Sequence, residues 1–328
     1  MLLALLLSSM QWGQEHAAKS AAWGFFGHKR INRVAIFTLP PEMFGFYKEH
    51  IEYITEHAVD PDKRRYAVKG EAECHYIDID HYALPGQDIF DIVPRTWGKA
   101  VEKFGEDTLH AYGIVPWNIQ FVKRKLQRAF ENKNVDLILK YSADLGHYIG
   151  DAHVPLHTTE NYNGQMTGQK GIHGLWESRL VEINAENYDY FIGKASYLKR
   201  PLDFTWDAVK QSHYALDSVF NYEKELTKSM PSDRKYSYEQ RGNVTVKTYS
   251  KEFSQAYHER LNGMVERRLR AAILAVGSFW YTAWVDAGQP DLNQLQHTPA
   301  SEELLREIKE LDAEFQKGVS KGRACDAD

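Results

Sequence analysis

The chain has 328 residues, with 40 Lys and Arg against 45 Asp and Glu, 14 His and only 2 Cys. A composition 43% hydrophobic and 26% charged is that of a globular chain and excludes a mostly disordered one. Two cysteines exclude a disulfide framework and an all-cysteine zinc site, and a net charge of −5 argues against coating nucleic acid by bulk charge alone.

Residues Leu2 to Met10 form an apolar run too short to cross a bilayer. Small residues, Ser20-Ala21-Ala22, then precede Trp23, as at a secretory cleavage site. Residues 1–22 are therefore read as a signal peptide cleaved before Trp23, with export to the periplasm or beyond. No later stretch approaches the roughly 20 apolar residues of a membrane span. Lys29 to Thr38 reads as a helix through Ile31, Val34, Ala35 and Ile36, stopped by Pro40-Pro41. A loop follows at Leu84 to Thr96, whose apolar residues (Ile89, Phe90, Ile92, Val93) fit core packing better than a lid. Val115 to Asn132 and Asn134 to Ile149 carry long helical periodicity. Thr158 to Gly171, rich in Asn, Gly and Gln, reads as a loop. Tyr214 to Ser229 and Gln255 to Ala287 are further helices, the latter densely apolar from Leu269 to Trp284. Between them, Lys235 to Tyr249 reads as a β-hairpin about Gly242-Asn243, and Asn243-Val-Thr is a possible glycosylation sequon. From His297 the chain turns highly charged, with Leu304, Leu305, Ile308 and Leu311 on one stripe, as in an appended surface helix with a frayed end. No repeat or linker interrupts the helical pattern. The expectation is one all-α domain with a small β-hairpin over residues 23–295, then a charged helix and tail over 296–328.

The chemistry concentrates in a few short motifs. In His147-Tyr-Ile-Gly-Asp151-Ala-His153-Val-Pro-Leu-His157, His147 and Asp151 are i, i+4 and share a helix face. Pro155 should end that helix and let His157 return from the next turn. His173 and Glu177 make a second i, i+4 pair. Upstream lie His28, Asp60 and His75, the last in Cys74-His75-Tyr76-Ile77-Asp78. Histidine and carboxylate are zinc-ligand types. Taken singly, each has a plainer reading: a satisfied core histidine, a helix-stabilising pair, a turn opener at Asp60-Pro61. Spacing does not decide whether they converge.

The ordered set Trp23-x4-His28, Asp60, His75-Tyr-Ile-Asp78, His147-x3-Asp151-x5-His157 and His173-x3-Glu177 resembles the trinuclear zinc signature of the S1/P1 nuclease and zinc-dependent phospholipase C superfamily. The resemblance implies a multi-helix fold and three Zn2+ per chain. One ion would be held by Asp60, His75, His147 and Asp151. A second would take His28, a bridging Asp151, and the α-amine and carbonyl of Trp23. The third would take His157, His173 and Glu177. A chelating α-amine exists only once the bond before Trp23 is cut, so processing would complete the site. The implied reaction is hydrolysis of phosphate ester or phosphodiester bonds by water activated between paired ions. Asp60 would orient or deprotonate that water, with Asp151 bridging. Arg64 or Lys63 would contact phosphate, and Asp144, one turn before His147, would support a ligand from behind.

Two substrate classes share this core. Tyr76 and Asp78 occupy the positions with which the nucleases stack on a base and bond its edge. Glu177 is the carboxylate of the bacterial phospholipases C, where the nucleases usually carry Asp, and the cysteines of the fungal nucleases are absent. The phospholipase C-like reading is placed first, the single-strand nuclease or 3'-nucleotidase second, and an exported metal-binding protein without turnover third. The expected partner is a phosphodiester, either a phospholipid head group or single-stranded nucleic acid, and the chain is expected to act as a monomer. Cys74 reads as an inert thiol and Cys325 as a tail residue. His57, His81 and His153 match no ligand position and read as structural.

Overall fold

Glycine decides how closely the first helix meets the centre of the fold. The computed structural model describes residues 24–241 and 244–318. Its first helix, α1 (Gly24–Ala35), buries His28, Ile31, Asn32 and Ala35 at helical spacing. It begins five residues before the expected Lys29 and ends in a 3-10 turn before Pro40. Pro41 then opens α2 (Pro41–Glu49), at the first helical position, where a missing N–H costs nothing. Two short helices follow, α3 (Ile51–Glu56) and α4 (Asp60–Ala67), the second opened by Asp60-Pro61.

The Leu84–Thr96 stretch holds a single turn, α5 (Ile89–Ile92), whose Asp88 side chain accepts from the Phe90 amide. Phe90, Ile92 and Val93 are buried, so the segment is core. After α6 (Trp97–Phe104) and α7 (Glu106–Ala111) come the long α8 (Val115–Glu131) and α9 (Val135–Ala152), which pack along each other. Asn134 caps α9 by accepting from the Leu137 amide. A helical stretch then runs through α10 (Ile172–Gly174), a π turn at Leu175–Arg179 and α11 (Leu180–Asn184).

The second half adds α12 (Pro201–Tyr214), α13 (Leu216–Ser229) and α14 (Ser232–Lys235). The expected hairpin forms as β1 (Tyr236–Arg241) and β2 (Val244–Tyr249), antiparallel, with Tyr236 opposite Tyr249 and Arg241 opposite Val244. Gly242 and the sequon residue Asn243 lie outside the described residues. The chain closes with α15 (Lys251–Arg260), α16 (Met264–Asp286) and α17 (Glu302–Lys317). Leu269, Ile273, Val276, Phe279 and Trp280 bury α16 against α1, α8 and α9, which makes it the central post. The protein is all-α apart from its small hairpin. No described helix is long and apolar enough to cross a membrane.

Where α1 crosses α9, Gly146 and Gly150 take the place of larger residues. A Cβ on Gly146 would lie 1.9 Å from Asn32 Oδ1, and one on Gly150 would lie 3.1 Å from His28 Nδ1. Asn32 cannot retreat cheaply, because its buried amide donates to the carbonyls of Ile54 and Ala143. Gly146→Ala would gain up to about 1 kcal/mol of helix propensity. The clash is expected to outweigh this by the roughly 1–3 kcal/mol typical of overpacking. A lower denaturation midpoint in urea checks it; an unchanged or raised midpoint would show that the crossing has slack.

Candidate metal centre

Helix α9 supplies the floor of the site. His147 and Asp151, one turn apart, are both completely buried on its inner face. The close crossing brings α1 near enough for the His28 ring to stack on His147 with centroids 3.8 Å apart. His28 Nε2 then lies 3.4 Å from Asp151 Oδ1. His75 enters from the turn after Ala72–Cys74, placing Nδ1 3.0 Å from Asp151 Oδ2 and 3.0 Å from His147 Nε2. Asp62 of α4 reaches in from the side, with Oδ1 3.7 Å from both His75 Nδ1 and His147 Nε2.

A second group adjoins the first. After α9 ends, the turn at Pro155–Thr158 returns His157, as the proline predicts. Its Nε2 lies 3.9 Å from Asp151 Oδ1 and 3.3 Å from Glu177 Oε2. His173 Nε2 lies 3.0 Å from the same Glu177 oxygen. Glu177 sits in the π turn, a helix irregularity often found at functional sites. The Gly24 amide donates to Ser178 Oγ at 3.0 Å, which ties the start of α1 beside Glu177. Trp23 itself lies outside the described residues.

The histidines are oriented by their outer nitrogens. His147 Nδ1 donates to the Ala58 carbonyl at 2.8 Å, and His157 Nδ1 to the His75 carbonyl at 2.7 Å. A carbonyl only accepts, so each Nδ1 carries a proton and each Nε2 is the atom turned toward the carboxylates, where a metal would replace any second proton. His75 Nε2 faces Glu71 at 3.6 Å, the carboxylate-behind-histidine arrangement that orients metal-ligating rings. Lone pairs and carboxylate oxygens aimed at one small volume repel one another unless protons or cations lie between them. Asp62 Oδ2, Asp151 Oδ1, His157 Nε2 and Glu177 Oε2 are buried and make no hydrogen bond among the described residues. Among the described residues, three His/Asp/Glu groups have donor atoms close enough for a shared ion: His28–Asp62–His147, His75–His147–Asp151 and His157–His173–Glu177. The donor chemistry, imidazole nitrogen with carboxylate oxygen, suits zinc.

The charges respond to this crowding. Burial opposes the Asp151 carboxylate, yet His147 and His157 hold it well below the usual carboxylate range. Burial likewise opposes a charged His157, but Asp151 and Glu177 carry it up to about 9. Burial, reinforced by the neighbouring His28, pushes His147 down, toward the neutral form that a metal requires.

Four expected site residues, Asp60, Arg64, Tyr76 and Asp78, stand outside the grouped donors. Asp60 faces away from the histidines: its Oδ2 takes His57 Nδ1 at 2.8 Å and its Oδ1 lies 3.1 Å from Lys63 Nζ. Two residues on a helix are separated by about 200°. Asp60 and Asp62 therefore face opposite ways, and it is Asp62 that joins the histidines. Arg64, expected on phosphate, is committed to Asp144 at 3.0 Å, to Glu71 at 3.3 Å and to the Tyr148 hydroxyl at 3.2 Å. Arg65 instead lies 3.7 Å from Asp62 Oδ1. Asp144 does stand behind the site, through Arg64. Tyr76 and Asp78 follow His75 and are buried, but neither belongs to the grouped donors. The Tyr76 ring packs so tightly on Gly113 that a Cβ there would lie 2.5 Å from it. Glu71 and Tyr148 escaped the sequence reading, although Glu71 and His75 repeat the i, i+4 signal of the other pairs.

His57, His81 and His153 stay outside the groups: His57 pairs with Asp60, His81 stacks on Tyr112, and His153 Nδ1 donates to the Ile149 carbonyl. Cys74 is a free thiol facing the Gly70 carbonyl, and burial pushes its pKa up, away from the reactive thiolate. Cys325 lies outside the described residues.

The two aspartates of α4 separate by mutation. Asp62→Asn is expected to weaken zinc binding by more than the roughly 10–100-fold typical of an outer partner. Asp60→Asn is expected to keep its zinc. Metal analysis of the two purified variants decides it, and equal loss would return Asp60 to the site.

A family model described as S1/P1 Nuclease matches residues 23–275 of the chain. No curated protein matches it.

Proposed function

From the premise that the chain belongs to the S1/P1 nuclease family, we propose that it is an exported zinc-dependent phosphodiesterase carrying three Zn2+, phospholipase C-like in substrate. The observation that carries the reading is the convergence of buried imidazole and carboxylate donors from α1, α4, α9 and the 75, 157 and 173–177 segments. Asp62, His75, His147 and Asp151 would hold one ion. His28 and Asp151, with the α-amine and carbonyl of Trp23 after cleavage, would hold a second. His157, His173 and Glu177 would hold the third. When bound, such ions lower the pKa of water and stabilise charge on phosphoryl and leaving oxygens.

The chain's own residues do the rest. Asp151 connects the groups and sets their separation. The Ala58 and His75 carbonyls keep two rings in the tautomer that offers Nε2. Asp62 takes the role first expected of Asp60: its Oδ2 makes no hydrogen bond among the described residues and is placed to orient an incoming water or accept its proton. Arg65 Nη1 stands 3.7 Å from Asp62 Oδ1.

Glu177 as the carboxylate of the third group favours a phospholipid head group. The family match, with Tyr76 and Asp78 after His75, favours the second reading, a single-strand nuclease. Bis-p-nitrophenyl phosphate with and without chelator tests the class. Phosphatidylcholine against single-stranded DNA and RNA separates the two readings. About three zinc per chain beginning at Trp23 supports the site. Zero or one breaks it, as does full activity and full zinc in an uncleaved Ala22→Pro precursor.

A further inference from the structure

Helix α17 lies beyond residues 23–275, the part that matches the family. It packs chiefly on α4, the helix that carries Asp62. Its start is pinned by the Ser301 amide, which donates to Asp136 Oδ1 at 2.9 Å, and by the Ser301 side chain, which caps the Leu304 amide. Its apolar stripe, Leu304, Ile308 and Leu311, faces Tyr53 and Val68 across a cavity of about 520 Å3. The apolar seam is therefore incompletely filled, and of the helix only Leu304 is buried. Specific contacts at its rim carry the docking instead.

Those contacts have clear destinations. Asp312 Oδ1 lies 2.7 Å from Lys63 Nζ of α4, the ammonium that also holds Asp60. Glu307 Oε2 lies 3.0 Å from Lys140 Nζ of α9. The Phe315 ring meets the Tyr66 ring of α4 edge-on at 5.1 Å, and the Phe25 ring of α1 at 5.9 Å. Both aromatic partners are close in sequence to donors of the first group: Tyr66 is four residues from Asp62, and Phe25 is three from His28. Helix α4 has only eight residues, too few to hold itself in place by helix propensity alone. Its packing decides where Asp62 stands, and metal-ligand geometry tolerates only about 0.5 Å of error.

We propose that α17 is a positioning clamp for the first metal group: it holds α4 and the start of α1 so that Asp62 and His28 meet the His147–Asp151 face. The residues His157, His173 and Glu177 lie on segments outside these α17 contacts and feel the clamp only at second hand, through the Gly24 amide that bonds Ser178 at the start of α1. The proposal rests on the metal reading above for its zinc consequences, but not for its structural ones.

The test uses the full chain with Glu307→Lys, Asp312→Lys and Phe315→Ala combined, which sets like charges against Lys140 and Lys63 and removes the ring contacts. Zinc release to a chromogenic chelator is measured in two backgrounds. His173→Ala leaves the first group as the reporter, and His28→Ala with His147→Ala leaves the group of His157, His173 and Glu177. The clamp predicts release about tenfold faster in the first background, the low end for residues that orient ligands, and a much smaller change in the second. Equal acceleration in both means general loosening and overturns the clamp. A second arm needs no metal: amide hydrogen exchange in the metal-free protein should rise in residues 60–67 and the start of α1, but not in 155–158. Unchanged exchange in α4 overturns the clamp whether or not zinc binds. A parent chain that takes up no zinc, with exchange rising as predicted, overturns the metal reading and leaves the clamp standing. Phe315→Tyr alone should behave as the parent does.

Discussion

Asp151→Asn is expected to cost about a thousandfold in kcat/KM and to lower zinc content together with it. Asp151 is completely buried, and its two oxygens between them reach both groups. Oδ2 lies 3.0 Å from His75 Nδ1 and 3.2 Å from His147 Nε2. Oδ1 lies 3.4 Å from His28 Nε2 and 3.9 Å from His157 Nε2. Asparagine keeps the shape but removes the charge and turns an NH2 donor toward one pair of histidines. Removing one partner of a buried charged set costs about 3–5 kcal/mol. At about 1.4 kcal/mol per factor of ten, that is two to nearly four decades in rate or affinity. Far-ultraviolet circular dichroism must match the parent, so that the loss is not unfolding. Asp60→Asn serves as the contrast, because it disturbs a buried carboxylate on the opposite face of α4. An Asp151→Asn protein that keeps its zinc and its turnover would mean that the buried donors are a structural network and that chemistry happens elsewhere.

How far the site could be read from sequence follows from what kind of interaction places each residue. His147 and Asp151 were legible because four residues on a helix bring side chains to one face. His157 was legible because Pro155 ends that helix. The pair His173 and Glu177 was legible as a spacing, but not as a π turn, since that depends on hydrogen bonds the spacing does not encode. The convergence of these motifs came from family resemblance rather than from spacing. Asp60 shows where local reasoning stops. Asp60-Pro61-Asp62 presents two carboxylates on opposite faces of a short helix, and only the docking of α4 decides which one turns inward. Arg64 fails for the same reason: the cation one position before Arg65 faces Asp144 and Glu71 instead of Asp62. The fold was more legible than the site. Long apolar periodicity foretold α8, α9 and α16, and β-rich alternation foretold the hairpin. Helix α1 extends back to Gly24 because its first turn is anchored on Ser178, 154 residues away in sequence, a contact no local pattern contains.

Stripping the metal should lower the melting temperature by about 10 °C, and the size of the drop should depend on pH in a definite direction. A ligand present at a thousand times its Kd adds about 4 kcal/mol to stability. For a domain of this size, each kcal/mol is worth about 2–4 °C. In the metal-free chain the same pocket is held by protons. Burial disfavours the charged forms of both His157 and Glu177, and their neighbours overcome it, carrying His157 up to about 9 and Glu177 down to about 2. For His157 the folded pKa lies above the unfolded 6.5, so its contribution is complete below pH 6.5 and is lost as pH rises through 9. For Glu177 the folded pKa lies below the unfolded 4.5, so its contribution is present above pH 4.5 and is lost as pH falls through 2. These two groups therefore favour the metal-free fold most between pH 4.5 and 6.5. Zinc has the opposite preference, because it competes with the His157 proton and binds more tightly as pH rises. Calorimetry of loaded and chelator-treated protein should show a gap in melting temperature that widens from pH 6 to 9. A gap that stays constant across that range would mean that no proton leaves this pocket when metal enters, and that His157 is not among the ligands.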